Sequence, residues 1–398
     1  MHISTSNTYN TSLDALMERQ AKLSGTQQQM TTGKRVNRAS DDPAAAARAE
    51  RALAAEQRTV ANQRGVDASN TAMTLTDSAI GDATELLQQA REAMVSAGNA
   101  TYTDAERTTV ANQLSDLRQQ LLAVANRTDG SGKYLFGGQG ASQPPFADVL
   151  GGVAYQGTSG QAQAASGEPL PLTTDGASTW MTARTGNGVF ATRAVTSTGT
   201  AWIDGGNVTN PSAVTGSTYS VQFSVLAGAT TYSVLKDGVA TAQTNVAFTP
   251  GQAVQVDGLA AAISGQPANG DVFELAPSSA SLSVFDTIDK AIADLKIPGR
   301  TGSQIAQTNS TNLGSLDSVL GQMSAVRAQV GSALNRVDSV TTRLSALKLS
   351  SQTEQSNAAD LDMTQALSDF SSQQTGYDAA LKAYSLVQKL SLFNYLSA

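Results

Sequence analysis

The chain carries a single histidine, His2, and no cysteine, and this removes most of the catalytic chemistry a protein of its length could perform. A nucleophilic serine or cysteine needs a base beside it, so a Ser-His-Asp or Cys-His arrangement is not expected from one histidine in a polar terminus. The zinc-binding helix His-Glu-x-x-His needs two histidines, and thiolate zinc sites and disulfides need cysteine. Two carboxylate pairs remain, Asp41/Asp42 and Asp360/Asp362, the residue type that glycosidases set on either side of a glycosidic bond. Asp42 precedes Pro43, so it reads as an N-cap with proline at the first helical position. The second pair sits at a helix start, where negative charge suits the helix dipole. Gly137-Gly138-x-Gly140 lacks the Gly-Lys-Ser/Thr ending of a phosphate loop, and Gly33-Lys34 lacks the glycine spacing before it. No catalytic, cofactor-binding or metal-binding residue is therefore expected, and the chain reads as a non-enzyme.

The densest polar cluster is Thr31-Thr32-Gly33-Lys34-Arg35-Val36-Asn37-Arg38-Ala39-Ser40-Asp41-Asp42-Pro43. Gly33 ends one helical pattern, three basic residues follow, and Asp41-Asp42-Pro43 opens the next. Gly33, Lys34, Arg35, Asp41, Asp42 and Pro43 thus form a domain joint. Two readings stay open: solvated charges on a helix–loop–helix turn, or a basic spoke that meets acidic groups on neighbouring copies.

The elements around this joint are helices with a repeat of seven. Tyr9, Leu16, Leu23 and Met30, supported by Leu13, recur near the N-terminus. Met363, Phe370, Tyr377 and Tyr384, with Leu367 and Leu381, recur near the C-terminus. A repeat of seven makes a narrow apolar seam that another helix must cover, so the ends meet each other or sister copies. A further seam holds Val66, Met73, Ile80, Leu87 and Met94. Thr103 and Glu106 form a Thr-x-x-Glu capping box before Val110, Leu114, Leu117, Leu121 and Val124. Leu316, Met323, Val330, Val337 and Leu344 make a long C-terminal rod. Between about Gly137 and Ser281 prolines and glycines cluster and alternation takes over, as in Tyr219, Val221, Phe223, Val225 and Tyr232, Val234. Asp237-Gly238 signals a hairpin turn, and Asp271 to Leu275 reads as another strand.

These elements predict an α+β chain, an elongated molecule of helical rods and coiled coil from both termini with an inserted, mainly antiparallel β domain. Residues 1–42 and 355–398 form a terminal coiled coil, disordered until assembled. Residues 43–138 and 282–354 form the helical rods, and 139–281 the outward-facing β domain. Of 398 residues 15% are charged, with a net charge of −7, so no footprint for nucleic acid exists. No run of 18 apolar residues suggests a membrane span, and polar residues 1–12 do not resemble a Sec-type signal.

Met1-x-Ile3-Ser4-Thr5, the Thr32-Gly33-Lys34-Arg35-Val36 to Ser40-Asp41-Asp42-Pro43 block, and Tyr134-Leu135-Phe136-Gly137-Gly138 followed by Pro145-Phe146 together resemble the hook-associated protein 3 (FlgL) family of bacterial flagella. Tyr155-x-Gly157, Gly188-Val189-Phe190, Ser283-Val284-Phe285-Asp286-x-Ile288, Asp360-Leu361-Asp362 and the closing Leu390-Ser391-Leu392-Phe393-Asn394-Tyr395-Leu396 fit the same pattern. The resemblance implies a structural protein of the hook–filament junction, outside the cell and exported by the flagellar type III system. It implies a ring of copies, with hook-associated protein 1 below, flagellin above and an export chaperone on the C-terminal helix. It also places Leu390, Leu392, Phe393, Tyr395 and Leu396, with the two terminal seams, at the assembly interface. Filament flagellin shares this layout but differs at both ends. From a different class, a glycan-binding or adhesive β module on rods is the alternative.

Overall fold

The computed structural model describes residues 5–99 and 101–396, and side chains in all of these except 5–9 and 387–396. Among them are seven α-helices: α1 (Thr5–Thr32), α2 (Pro43–Ala97), α3 (Asp104–Ala125), α4 (Gly176–Trp180), α5 (Val284–Leu295), α6 (Gly302–Ala359) and α7 (Met363–Leu396). All the strands lie between α3 and α5, and every strand pairing is antiparallel. The chain forms two compact units, one of residues 1–64 with 340–398 and one of residues 65–339. The division falls inside α2 and α6.

In the larger unit the seven-residue seams become a helical core. Val66, Met73, Ile80, Leu87 and Met94 are all buried, as are Leu316, Met323, Val330 and Val337. The position three residues after each large α2 side chain is also buried, and it holds Ser69, Thr76, Ala83, Ala90 and Ala97. Ser69 donates to the Pro171 carbonyl at 2.6 Å, and Val319, Val326 and Ala333 of α6 belong to the same buried core. Arg91 pairs with Asp317 at 2.6 Å and Arg327 with Asp77 at 2.9 Å, which fixes the antiparallel register of α2 and α6. The Thr103–Glu106 capping box opens α3, with the Thr103 amide donating to Glu106 Oε2 at 2.7 Å. The buried Arg107 then closes the end of α2, donating to the carbonyls of Ala97, Asn99 and Tyr102. Ser283 caps α5, and Val284, Phe285, Ile288 and Ala291 complete this core.

Residues between α3 and α5 contribute to two cores. Phe146, Val153, Trp180 and Ala183 belong to the helical core with Phe136 and Phe285. Trp180 stacks on Phe285 at 5.7 Å and meets Phe136 edge-on at 5.4 Å. The Phe146–Val149/Gly152–Tyr155 hairpin is pinned to α3 by Arg118, whose guanidinium donates to both oxygens of Asp148 at 2.7 and 2.8 Å. The Gly137-Gly138 turn is a staple: Gly138 has φ +66°, donates to the Thr174 carbonyl, and has the Thr158 carbonyl where a Cβ would stand.

A separate β core begins at Phe190 and ends at Leu275. Its larger sheet runs Val246–Ala247, Ala229–Lys236, Tyr219–Leu226, Val272–Pro277 and Phe190–Thr196, and Val239–Ala240 pairs with Ala229–Lys236. Tyr219, Val221 and Phe223 alternate inward as their spacing predicts. Asp237 (φ 49°) and Gly238 (φ 82°) make the two-residue turn between Ala229–Lys236 and Val239–Ala240. The second sheet pairs Leu259–Ser264 with Ala253–Val256, Trp202–Ile203 and Asn207–Val208. Tyr219 and Lys236 both donate to Asp257 Oδ2 at 2.6 Å, tying the turn at Asp257 to the larger sheet.

Candidate assembly interface

In the unit that holds both chain ends, α1 and α7 pack on each other. Their seam is thin. Leu16 and Ala366 are its buried apolar side chains, while Leu13, Leu23, Met30, Phe370, Tyr377 and Tyr384 are half-buried. Thr26 donates across it to Gln373 Oε1 at 2.9 Å, and the Arg19 guanidinium lies over Gly376, where a Cβ would meet Nη1 at 2.8 Å. The inward positions of α7 after Phe370 and Tyr377 are therefore Gln373 and Ala380, three residues on. Leu367 and Leu381, four residues after Met363 and Tyr377, stand outside the intramolecular seam with exposures of 60% and 41%. Neither is covered within the chain, because a step of four rotates the side chain past the contact line where a step of three does not. Met17, Met363 and Leu386 are exposed as well. The side chains of Tyr9, Leu390, Leu392, Phe393, Tyr395 and Leu396 lie outside the described residues, although the backbone of α7 runs to Leu396.

The joint brings four helix ends of this unit together. Gly33 takes φ +69° and ends α1. Its carbonyl accepts from the Leu361 amide at 3.0 Å, and the Arg35 amide donates to the Ala359 carbonyl at 2.8 Å, so the loops after α1 and α6 pair through a short antiparallel bridge at Lys34 and Asp360. Arg35 Nη2 donates to the Ala358 carbonyl at 2.8 Å, capping α6, while Nη1 meets Asp42 at 3.2 Å. Asp42 caps α2 by accepting from the Ala45 amide at 3.0 Å, and Pro43 is the first residue of α2. The Ala45 amide and then the Arg35 guanidinium hold the Asp42 carboxyl below its ordinary value. Asp41 accepts from the amides of Asn37 and Arg38, and Asp362 from those of Thr364 and Gln365. These carboxylates organise backbone, as their positions before helices predicted. Lys34 and Arg38 are exposed and have no ion pair among the described residues.

Replacing Arg35 by alanine removes one clamp on α6 and one on α2 together. In the assembled state the Leu361 amide is expected to exchange about tenfold faster than in wild type, with Ile80 unchanged, when hydrogen exchange is followed residue by residue.

Among the described residues no group of His, Cys, Asp or Glu is placed to hold a metal, and no helix is long and apolar enough to cross a membrane. The residues missed from sequence are the small and polar inward ones, Thr26, Ala366, Gln373 and Ala380. Reading the positions three residues after each large apolar residue would have found them.

The bacterial flagellin N-terminal helical region matches residues 3–141, and the flagellin C-terminal helical region matches residues 313–396. Flagellar hook-associated protein 3 of Salmonella typhimurium is 27% identical over 409 residues, which span 99% of each chain. The crystal structure of the Legionella pneumophila flagellar hook associated protein-3 aligns at a TM-score of 0.71 and 27% identity, over 76% of this chain and 97% of that one. Xanthomonas campestris FlgL aligns at 0.68 and 29% identity, over 77% and 99%. The chain thus belongs to the flagellin-like superfamily and, within it, to the flagellar hook-associated protein 3 (FlgL) family.

Proposed function

We propose that this chain is a structural component of the bacterial flagellum that joins hook to filament through coiled-coil packing of its terminal helices with those of neighbouring copies. The observation that carries this is the α1–α7 pair, which buries Leu16 and Ala366 but leaves Met17, Met363, Leu367, Leu381 and Leu386 open to a partner. In this reading the terminal segments 1–42 and 355–398 are disordered until assembled, and Tyr9, Leu390, Leu392, Phe393, Tyr395 and Leu396 join the interface. Copies form a ring between hook-associated protein 1 and flagellin, and the β core faces outward. Lys34 and Arg38 are free for acidic groups on neighbours, whereas Arg35 is engaged within the chain. Before assembly an export chaperone holds the C-terminal helix, and the chain leaves through the flagellar type III channel. Its relatives are structural flagellar proteins, and no catalytic role is proposed. Deleting the coding region in a flagellated host tests the reading: hooks should form and flagellin should be shed into the medium. A deletion strain that keeps its filaments refutes it.

A further inference from the structure

Charge is distributed unevenly along α2. Arg51 and Arg58, seven residues apart, are exposed in the unit with the chain ends. Glu85 and Glu92, also seven apart, are exposed in the other unit. None of the four has an ion pair among the described residues. Their helical neighbours three and four residues away offer none either. Arg51 has Ala47, Arg48, Ala54 and Ala55, and Arg58 has Ala54, Ala55, Ala61 and Asn62. Glu85 has Gly81, Asp82, Gln88 and Gln89, and Glu92 has Gln88, Gln89, Val95 and Ser96. Glu50 adjoins Arg51 in sequence, but adjacent residues on a helix do not face each other. Arg48 beside Arg51 and Asp82 beside Glu85 place like charges together, an arrangement that disfavours the isolated helix. Charges turned toward α6 behave differently, since Arg91 and Asp77 each have a partner there.

The two exposed pairs are opposite in sign and identical in spacing, with Ala54 between the arginines and Gln88 between the glutamates. We propose that a second copy of this chain docks here, the Arg51/Arg58 face of one copy against the Glu85/Glu92 face of the next. Equal heptad spacing lets both ion pairs form in one register. Alanine at 54 and 61 leaves no bulk to hold the helices apart. The two faces are different patches, so each copy offers one of each and the contact is head-to-tail. Arg51 and Glu85 stand thirty-four residues apart on α2, roughly 160° of rotation at about 100° per residue, so one contact leaves each copy's other face open and the array extends. This inference rests on the proposal that copies assemble through their helices and adds to it the pair of surfaces that sets which copy fits which.

Sedimentation velocity of the full chain at about 50 mM and about 500 mM salt tests it, because exposed ion pairs are screened at the higher concentration. Association should be present at low salt and weaken at high salt. Arg51→Glu/Arg58→Glu should weaken it about tenfold or more, and Glu85→Lys/Glu92→Lys likewise. An equimolar mixture of the two variants, whose reversed faces match again, should restore it. Because the chain has no cysteine, mixed Ala54→Cys and Gln88→Cys chains should form a disulfide-linked dimer on oxidation. Wild-type chains that do not associate at low salt, reversed chains that associate as wild type does, or a mixture no stronger than either variant would overturn the proposal. These results leave the junction reading standing, because that reading fails only if the deletion host keeps its filaments.

Discussion

Amide protons across α1 and α7 of the isolated chain are expected to exchange within minutes, while those of Ile80, Leu114, Val221 and Phe273 stay protected by factors of about ten thousand or more. The difference follows from what each segment buries. Ile80 and Leu114 lie in a core of four helices closed by the Trp180–Phe285 stack, and Val221 and Phe273 lie between paired strands. Across the seam of α1 and α7 the buried apolar side chains are Leu16 and Ala366. A helix pair held by so little is marginal in water, because nucleating and ordering each helix must be offset by packing that is mostly absent. Sister helices covering Met17, Met363, Leu367, Leu381 and Leu386 would supply it. Removing residues 385–398 should accordingly leave the thermal transitions of both cores within a few degrees of wild type while abolishing attachment of filament to hook. Strong protection of residues 5–35 in the monomer, or a truncated chain that still attaches filaments, would end the argument.

The long helices were legible because large apolar residues recur every seven positions with few interruptions, and the caps at Asp42 and Thr103 were legible because each is local. The alternation from Tyr219 to Val234 was read for the same reason. Less visible were contacts made by residues that look unremarkable in a chain rich in Ala, Ser, Thr and Gln. Ser69, Thr76, Ala83 and Ala90 form half of the α2 seam, yet their small side chains carry no periodic signal in such a background. Nor does sequence say that Phe146 and Trp180, which lie in a Gly/Pro-rich stretch, belong to the helical core. Their partner Phe285 is more than a hundred residues away, and proximity at that distance follows from topology alone. At the candidate interface the joint residues were found, but Arg35 was left between two roles. The carbonyl it caps, Ala358, becomes a neighbour only once α6 folds back to α1. Leu381, four residues after Tyr377, stays exposed within the chain.

Replacing Asp271 by asparagine should loosen the β core by about 2–5 kcal/mol while leaving the helical core intact. Asp271 is fully buried. Its Oδ1 accepts from the Thr198 amide at 2.7 Å and the Thr198 hydroxyl at 2.9 Å, and its Oδ2 from the amides of Ala268 at 2.7 Å and Gly199 at 3.1 Å. Burial alone would raise this carboxyl, but the donors, led by the Thr198 and Ala268 amides, outweigh it and hold the group below its ordinary value of 3.8. The sign then follows. A carboxyl whose folded value lies below its unfolded one stabilises the fold fully at neutral pH, and that stabilisation fades as pH falls through the folded value. The β core should therefore lose stability below about pH 4. Asparagine presents an NH₂ to a ring of donors, so at least one amide loses its acceptor at every pH, and the acid-dependent part disappears with the charge. The two tryptophans make the measurement selective, since Trp180 sits in the helical core and Trp202 on a strand of the β core. In a Trp180→Phe background, denaturant unfolding followed by Trp202 fluorescence should shift to lower concentration with Asp271→Asn at pH 7, and the gap to the parent should narrow as pH falls toward 3. In a Trp202→Phe background, Trp180 should report an unchanged midpoint. A gap that stays constant with pH would mean that the carboxylate charge does not hold this loop.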